Sequence, residues 1–213
     1  MTTNADGVSA ERFWDARYSQ AGRVWSGEPN AVLVREAAKL TPASALDLGS
    51  GEGADAIWLA RQGWRVTAVD ISQVALDRAE QHAVAAGVQH LIEWQRCDLA
   101  VSFPSGTFDL VSAQFLQSEI DLPREAILRA AAAAVTPGGV LLIVGHAGLP
   151  SWMSPDPDLP LPTPAEVMAA LHLPMEQWEL LLSEEYEQSL TDPDGRSATR
   201  TNNTLELRRL VTR

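Results

Sequence analysis

Ala45-Leu46-Asp47-Leu48-Gly49-Ser50-Gly51-Glu52-Gly53 decides how the rest of this 213-residue chain is read. A short apolar run ends in an acid, and a glycine-rich turn then opens a helical pattern over Gly53–Gln62. Glycines serve where backbone must turn tightly or approach a ligand with no side chain in the way. A helix N-terminus behind such a turn presents unpaired N–H groups to whatever binds there. The stretch therefore predicts a strand, a ligand-binding turn and a helix, with a nucleotide-like ligand at the turn.

Working outward, apolar runs and helical spacings alternate. Downstream of the first strand, Ala43–Leu48, strand patterns fall at Trp64–Val69, Leu91–Arg96, Phe108–Ala113 and Val140–Val144. Between them, Ser72 is placed to cap a helix that runs to about Ala86 and closes at Gly87. Arg124–Val135 reads as an Ala-rich helix stopped by Pro137-Gly138-Gly139. Upstream, Ala10–Ser19 and Ala31–Leu40 have helical spacing. Strands separated by helices imply right-handed crossovers and a parallel sheet. Gly148–Pro164 is Pro-rich and too long for a simple connector, which predicts a lid. Thr163–His172 reads as a short helix, and Gln177–Tyr186 and Thr201–Leu210 as an antiparallel pair turned at Thr191-Asp192-Pro193-Asp194-Gly195. The expected organisation is one domain: a helical cap over 1–42, a cofactor-binding core over 43–147, and a lid with a C-terminal hairpin over 148–213.

Bulk properties narrow the function. A hydrophobic content of 46% supports a real core, and the net charge of -12 argues against a phosphate-backbone partner, which needs clustered Lys and Arg. One cysteine, Cys97, leaves no internal disulfide and fits a reducing compartment. No basic and apolar leader is visible at Met1–Ala10, and no run approaches the roughly 20 apolar residues of a membrane span. The expectation is a cytoplasmic protein acting on a small molecule, with no nucleic-acid or membrane partner, no metal and an oligomeric state the sequence does not disclose.

Two cofactors fit the turn. Gly49-x-Gly51-x-x-Ala54, with Asp70 downstream, satisfies a dinucleotide pattern and so an NAD-dependent oxidoreductase. Asp47 favours the other choice. A carboxylate at the strand end would repel a pyrophosphate, but it attracts S-adenosylmethionine, which presents an ammonium and a sulfonium.

Asp47-Leu48-Gly49-Ser50-Gly51-Glu52-Gly53 resembles the first motif of class I S-adenosylmethionine-dependent methyltransferases, and the likeness continues in order. Val69-Asp70-Ile71-Ser72 resembles the acid that holds the ribose in that family, and Cys97-Asp98-Leu99 the acidic segment that reads adenine. Phe108-Asp109-Leu110-Val111 and Pro137-Gly138-Gly139 before Val140-Leu141-Leu142-Ile143 resemble its fourth and fifth strand motifs. Trp14-Asp15-x-Arg17-Tyr18 and Trp25-Ser26-Gly27-Glu28-Pro29-Asn30 are similar to the bacterial branch related to tellurite-resistance and thiopurine methyltransferases. The resemblance implies a Rossmann-like, mostly parallel α/β sheet of seven strands with helices on both faces and an antiparallel C-terminal hairpin. It implies cofactor contacts at Asp47, Gly49, Ser50, Gly51, Gly53, Asp70, Ile71, Asp98, Leu99 and Gln114. In-line methyl transfer to a small acceptor is the expected reaction, and a non-catalytic cofactor-binding module on the same fold is the other class to separate.

Acceptor-side candidates cluster after the fourth and fifth strands, the edge where open α/β sheets place ligands. Phe115 and Gln117 follow the fourth strand, and Trp25 and Trp152 stand in loops flanking the core, either anchoring those loops or closing over the site. His146 reads equally as a strand-end histidine bonded to backbone or as the base that a hydroxyl acceptor would need. The Asn-Pro-Pro-aromatic signature of amide or adenine methylation does not occur; Ser112-Ala113-Gln114-Phe115 stands there. Asp55 reads as a dipole-compensating acid and His82 as a surface residue.

Overall fold

The computed structural model describes residues 8–20, 22–154 and 161–211. Its strands are β1 (Ser44–Leu48), β2 (Arg65–Asp70), β3 (Ile92–Arg96), β4 (Phe108–Gln114), β5 (Val135–His146), β6 (Trp178–Thr191) and β7 (Ser197–Arg209). They form one sheet in the order β3-β2-β1-β4-β5-β7-β6. The first five pair in parallel, and β7 runs antiparallel to both β5 and β6. The helices are α1 (Ala10–Ser19), α2 (Ala31–Ala37), α3 (Ala54–Arg61), α4 (Gln73–Ala86), α5 (Arg124–Ala133) and α6 (Pro164–Ala170). This is the predicted Rossmann-like architecture, with the strand order reversing between β1 and β4. At such a switch point, crossovers leave in opposite directions and open a crevice at the strands' carboxyl ends.

Both sheet faces are covered, and the period of two along β1 sorts side chains between them. Leu46 and Leu48 pack with Val111, Leu141, Ile143 and the α5 residues Ile127 and Leu128. Ala45 faces the opposite layer with Leu33, Ile57, Leu59 and Trp64. Burial on both faces explains why Val140–Val144 is apolar throughout. The α4 caps fall where the sequence puts them: Ser72 Oγ accepts from Ala75 N, and Gly87 closes the helix in the left-handed conformation. Among the described residues, no helix is long and apolar enough to cross a membrane.

Three boundaries differ. The α2 helix stops at Ala37, and the predicted extension to Leu40 tightens into turns closed by Lys39 N to Glu36 O and Leu40 N to Ala37 O. Pro137-Gly138-Gly139 does not stop a helix: α5 ends at Ala133, and β5 already pairs at Val135 with Phe108 before a register shift carries it through the glycines. The hairpin is much longer than predicted, because beyond His146 the two strands of the ribbon pair only with each other. In Glu184-Glu185-Tyr186-Glu187-Gln188-Ser189, Tyr186 alone packs against the core, so the stretch carries no apolar alternation for a sequence reading to detect. The ribbon end also receives the start of the expected lid, through Ala147 N and Gly148 N on Thr201 O and Ser151 N on Thr199 O. Residues 155–160 of that lid lie outside the described residues.

Candidate functional site

The amides of the three glycines and of Ser50 in the turn after β1 are all engaged within the protein. Gly49 N and Ser50 N both donate to Val69 O at 2.9 Å, and Gly53 N donates to Ser50 O at 2.9 Å. Gly51 N donates to Asp70 Oδ2 at 2.8 Å. Asp47 accepts from Ala56 N in the first turn of α3. The turn amides of Gly49, Ser50, Gly51 and Gly53 are therefore not aimed at a ligand, which leaves a pyrophosphate a poor nest there. The acceptors are the groups left over. Asp47 Oδ2, Ser50 Oγ and Gln114 Oε1 are buried with no hydrogen-bond partner. Asp47 and Gln114 lie on adjacent strands, where Asp47 pairs with Ser112, two residues before Gln114. Buried acceptors are rarely left unsatisfied, so three at one turn mark a place for a donor-rich, cationic ligand.

Carboxylates crowd the same place. Asp47 is held well above the usual carboxylate range, by burial first and then by the charges of Asp55 and Asp70. Burial pushes Asp55 up to about 6, against the hydrogen bond it accepts from Asn30 N at 2.6 Å. Asp55 is thus more than a dipole-compensating acid, since it fastens the N-cap of α2 to α3. Asp70 is also raised, mainly by burial, although Ser72 N and Gly51 N both donate to it. Burial favours the protonated forms of Asp47 and Asp55 in the ligand-free protein, and an arriving ammonium favours the ionised ones. Affinity for a cationic ligand at this place is accordingly expected to rise with pH through the raised range of these acids, which for Asp55 lies at about 6. Conversely, the ligand-free protein loses stability as pH rises through that window, since the raised acids must ionise while buried. Calorimetric titrations near pH 6 in buffers of different ionisation enthalpy should show proton release; binding without proton exchange would contradict this.

The turn is roofed by the N-terminal segment. Tyr18 Oη and the Trp25 indole lie 2.9 and 3.4 Å from where a Cβ on Gly51 would stand, and Trp25 Nε1 donates to Tyr18 Oη at 2.9 Å. Glu52 Oε2 accepts from Val24 N and Trp25 N at 3.0 and 3.2 Å, while Oε1 pairs with Arg78 at 3.0 Å. These contacts hold the Glu52 carboxyl below its usual range despite burial. Arg17 lies over the rings of Trp14 and Trp25, and Asp15 accepts from Ser72 Oγ at 2.6 Å, tying α1 to α4. Trp25, expected near the acceptor, therefore covers the cofactor turn. His82 is half-buried with Nδ1 3.0 Å from Glu52 O, not on the open surface as its place in α4 suggested.

A cavity of about 350 Å³ lies alongside, lined by Ile71, Asp98, Val101 and Ser102 with Ala10 and Glu11 of α1. Its position places the two residues expected at ribose and adenine, Ile71 and Asp98, around one space. Asp98 Oδ1 accepts from Ala100 N at 3.0 Å, which shapes the loop. Leu99 packs against the main core from a half-buried position.

On the other side of the turn, Leu116 Cδ1 approaches the Cβ position of Gly49 at 2.9 Å. Phe115 adopts φ +51°, which costs a non-glycine residue about 1–3 kcal/mol and occurs where the surrounding structure enforces it. Its ring stacks on His146, with centroids 4.5 Å apart. Gln117 braces this arrangement and has no polar end left for a substrate: Oε1 accepts from His146 N at 2.7 Å, and Nε2 donates to His146 O at 3.4 Å. His146 Nδ1 lies 2.9 Å from Asn202 Oδ1, and Nε2 lies 3.1 Å from Arg200 NH1. Burial and the nearby Arg200 charge lower the His146 pKa, with Asn202 opposing. Trp152 is exposed at the start of the lid and does not join this cluster. Tyr18, Glu52, Asp55, Arg200 and Asn202 were not read as site residues, although Tyr18 and Glu52 stand inside motifs that the sequence offered.

Residues 45–139 match the family described as a methyltransferase domain. The chain is 33% identical over 135 residues to a ubiquinone biosynthesis O-methyltransferase of Xanthomonas euvesicatoria pv. vesicatoria, covering 63% of this chain and 56% of that protein. It thus spans little more than half the length of the curated relatives it matches. The structure of TehB from Haemophilus influenzae superposes with a TM-score of 0.70 at 21% identity, covering 93% of this chain and 67% of that one. The N-methyltransferase NodS from Bradyrhizobium japonicum, solved with S-adenosyl-L-homocysteine, gives a TM-score of 0.63 at 16% identity and covers 93% and 97%. Residues 45–139 are thus similar to the family described as a methyltransferase domain, and the solved structures share the seven-stranded fold of this chain.

Proposed function

We propose that this chain transfers a methyl group from S-adenosylmethionine to a small-molecule acceptor. The observation that carries the reading is the set of unsatisfied buried acceptors, Asp47 Oδ2, Ser50 Oγ and Gln114 Oε1, beside a turn whose amides are engaged. Such a site suits the ammonium of a methionine group and not a dinucleotide phosphate. When bound, the cofactor supplies a methyl on a sulfonium, already an excellent leaving group. The protein then has to align an acceptor and keep the site dry. Asp47 and Gln114 hold the amino-acid end, Asp70 and Ile71 the ribose side, and Asp98 the adenine side. Phe115 and His146 face the acceptor, with Trp152 on the lid, while the 1–42 cap closes over the cofactor through Tyr18 and Trp25. A thiol acceptor needs no strong base; for a hydroxyl, His146 takes the proton.

Calorimetry with S-adenosylmethionine and S-adenosylhomocysteine, followed by methyl-transfer assays on thiols, phenols and metalloid oxyanions, tests the reading. Micromolar binding with turnover of at least one class is expected. An NADH fluorescence response without S-adenosylhomocysteine binding would replace the reading with an oxidoreductase, and binding with no turnover of any class would leave a cofactor-sensing module.

A further inference from the structure

The acceptor side carries two guanidiniums that the acidic surplus of the chain leaves unpaired. Acids outnumber Lys and Arg by 28 to 16, yet among the described residues neither Arg124 nor Arg200 forms an ion pair, whereas Arg17, Arg35, Arg78, Arg96 and Arg129 do. Both are half-buried, and Arg200 Nε is buried without a hydrogen-bond partner. Arg124 donates through Nε to Leu116 O, and its NH2 stands 3.3 Å from the Cβ position of Gly145. The charge of both groups therefore falls at the carboxyl end of β4 and β5.

Arg200 reaches that edge because β7 runs antiparallel to β5. Asn202 pairs with His146, so Arg200 lies two residues past the last residue of β5. Its contact with His146 has a definite sense. Asn202 Nδ2 donates to Gln188 Oε1 at 2.9 Å, so its Oδ1 is free to accept from His146 Nδ1 at 2.9 Å. The proton then sits on Nδ1. Arg200 NH1 lies 3.1 Å from Nε2 and 3.4 Å from Nδ1, so the guanidinium stands against the ring beside both nitrogens, off the lone-pair direction of Nε2. The ring that would act as base therefore carries against it a cation that has no carboxylate of its own.

We infer that Arg200 is the docking group for a carboxylate on the methyl acceptor, with Arg124 adding positive field, and that docking draws the guanidinium off His146 Nε2. The cation that opposes protonation of His146 is thus withdrawn only when an anionic acceptor is in place. This rests on the methyltransferase reading and names its substrate class. A guanidinium–carboxylate fork is stronger than the contact of a guanidinium with an uncharged imidazole, so the exchange runs in the stated direction.

The test uses the full chain saturated with S-adenosylhomocysteine, as wild type, Arg200→Gln and Arg200→Lys. Two pairs of probes differ only in charge: thiosalicylate with 2-mercaptobenzamide, and 3,4-dihydroxybenzoate with 3,4-dihydroxybenzamide. Binding is followed by calorimetry, and the His146 ring by heteronuclear NMR across a pH titration. In the wild type at least one carboxylate should bind about tenfold tighter than its amide and raise the His146 pKa, because the covering cation is replaced by a neutralised pair. Arg200→Gln should abolish both effects, and Arg200→Lys should restore part of the charge preference. Equal binding of acid and amide, an unmoved His146 in the presence of every carboxylate, or a preference that survives Arg200→Gln would each overturn the inference. If the wild type does not bind S-adenosylhomocysteine, the methyltransferase reading itself fails, which is a separate result.

Discussion

Asp47→Ala should bind S-adenosylmethionine about 50-fold more weakly than the wild type, and His146→Ala should change that affinity less than about threefold. The estimate follows from losing one charge-assisted hydrogen bond, about 2–3 kcal/mol, where 1.4 kcal/mol is tenfold. Asp47 is 2% exposed at the end of β1 with one oxygen unpartnered, whereas His146 ends β5, which β4 separates from β1. Truncation to Ala also leaves Ala56 N without its acceptor, so Asp47→Asn is the companion variant. The amide keeps that bond and removes a charge that Asp55 and Asp70 oppose. It should therefore lose cofactor affinity while keeping or raising the thermal midpoint of the ligand-free protein. Calorimetry on the three variants decides the matter, and an equal or larger loss at His146 would undo the assignment of roles.

Gly53→Ala should destabilise the fold by about 3 kcal/mol, against about 1 kcal/mol for Gly87→Ala. Both glycines have positive φ, +85° and +73°, so both substitutions strain the backbone. Their surroundings separate them. A Cβ on Gly53 would stand 2.7 Å from Trp94 Cη2 and 2.9 Å from Ala79 Cβ, while Gly87 has nothing within 4 Å. Gly53 is therefore fixed by packing of the turn against α4 and β3 as well as by its dihedral. For a chain of this length the difference corresponds to a gap in thermal midpoint on the order of 5 °C. Denaturant titration of both variants checks it; equal losses would show that only the backbone conformation matters.

The glycine turn was legible because its requirements are local. Asp47, Gly49, Gly51 and Gly53 sit within seven residues, and a tight turn behind a buried strand leaves few residue types able to serve. The α4 caps at Ser72 and Gly87 were legible for the same reason. What the turn offers its ligand was not. Whether its amides are free depends on Val69 O and the Asp70 carboxylate, which approach only when β2 lies beside β1. Glu52 reads as one more polar residue of a turn, yet it holds the Trp25 loop in place through backbone amides 27 and 28 residues away. Arg200 and Asn202 escaped notice because their partner His146 lies 54 and 56 residues away along the chain, where no local pattern joins them.

By itself, then, the sequence determined the alternation of strands and helices, the glycine turn at the end of β1, and the charge that its one strand-end carboxylate favours in a ligand. Those follow from periodicity, glycine dihedrals and the sign of one carboxylate, all encoded within short windows. Only the tertiary structure decided that the turn presents acceptors while its glycine and Ser50 amides are engaged, that Asp47 and Asp55 share one buried environment, and that Arg200 stands on His146. Each of these joins residues brought together by a crossover or by the antiparallel return of β7. Burial and pairing across such distances set protonation and hydrogen-bonding capacity, and no local pattern encodes them.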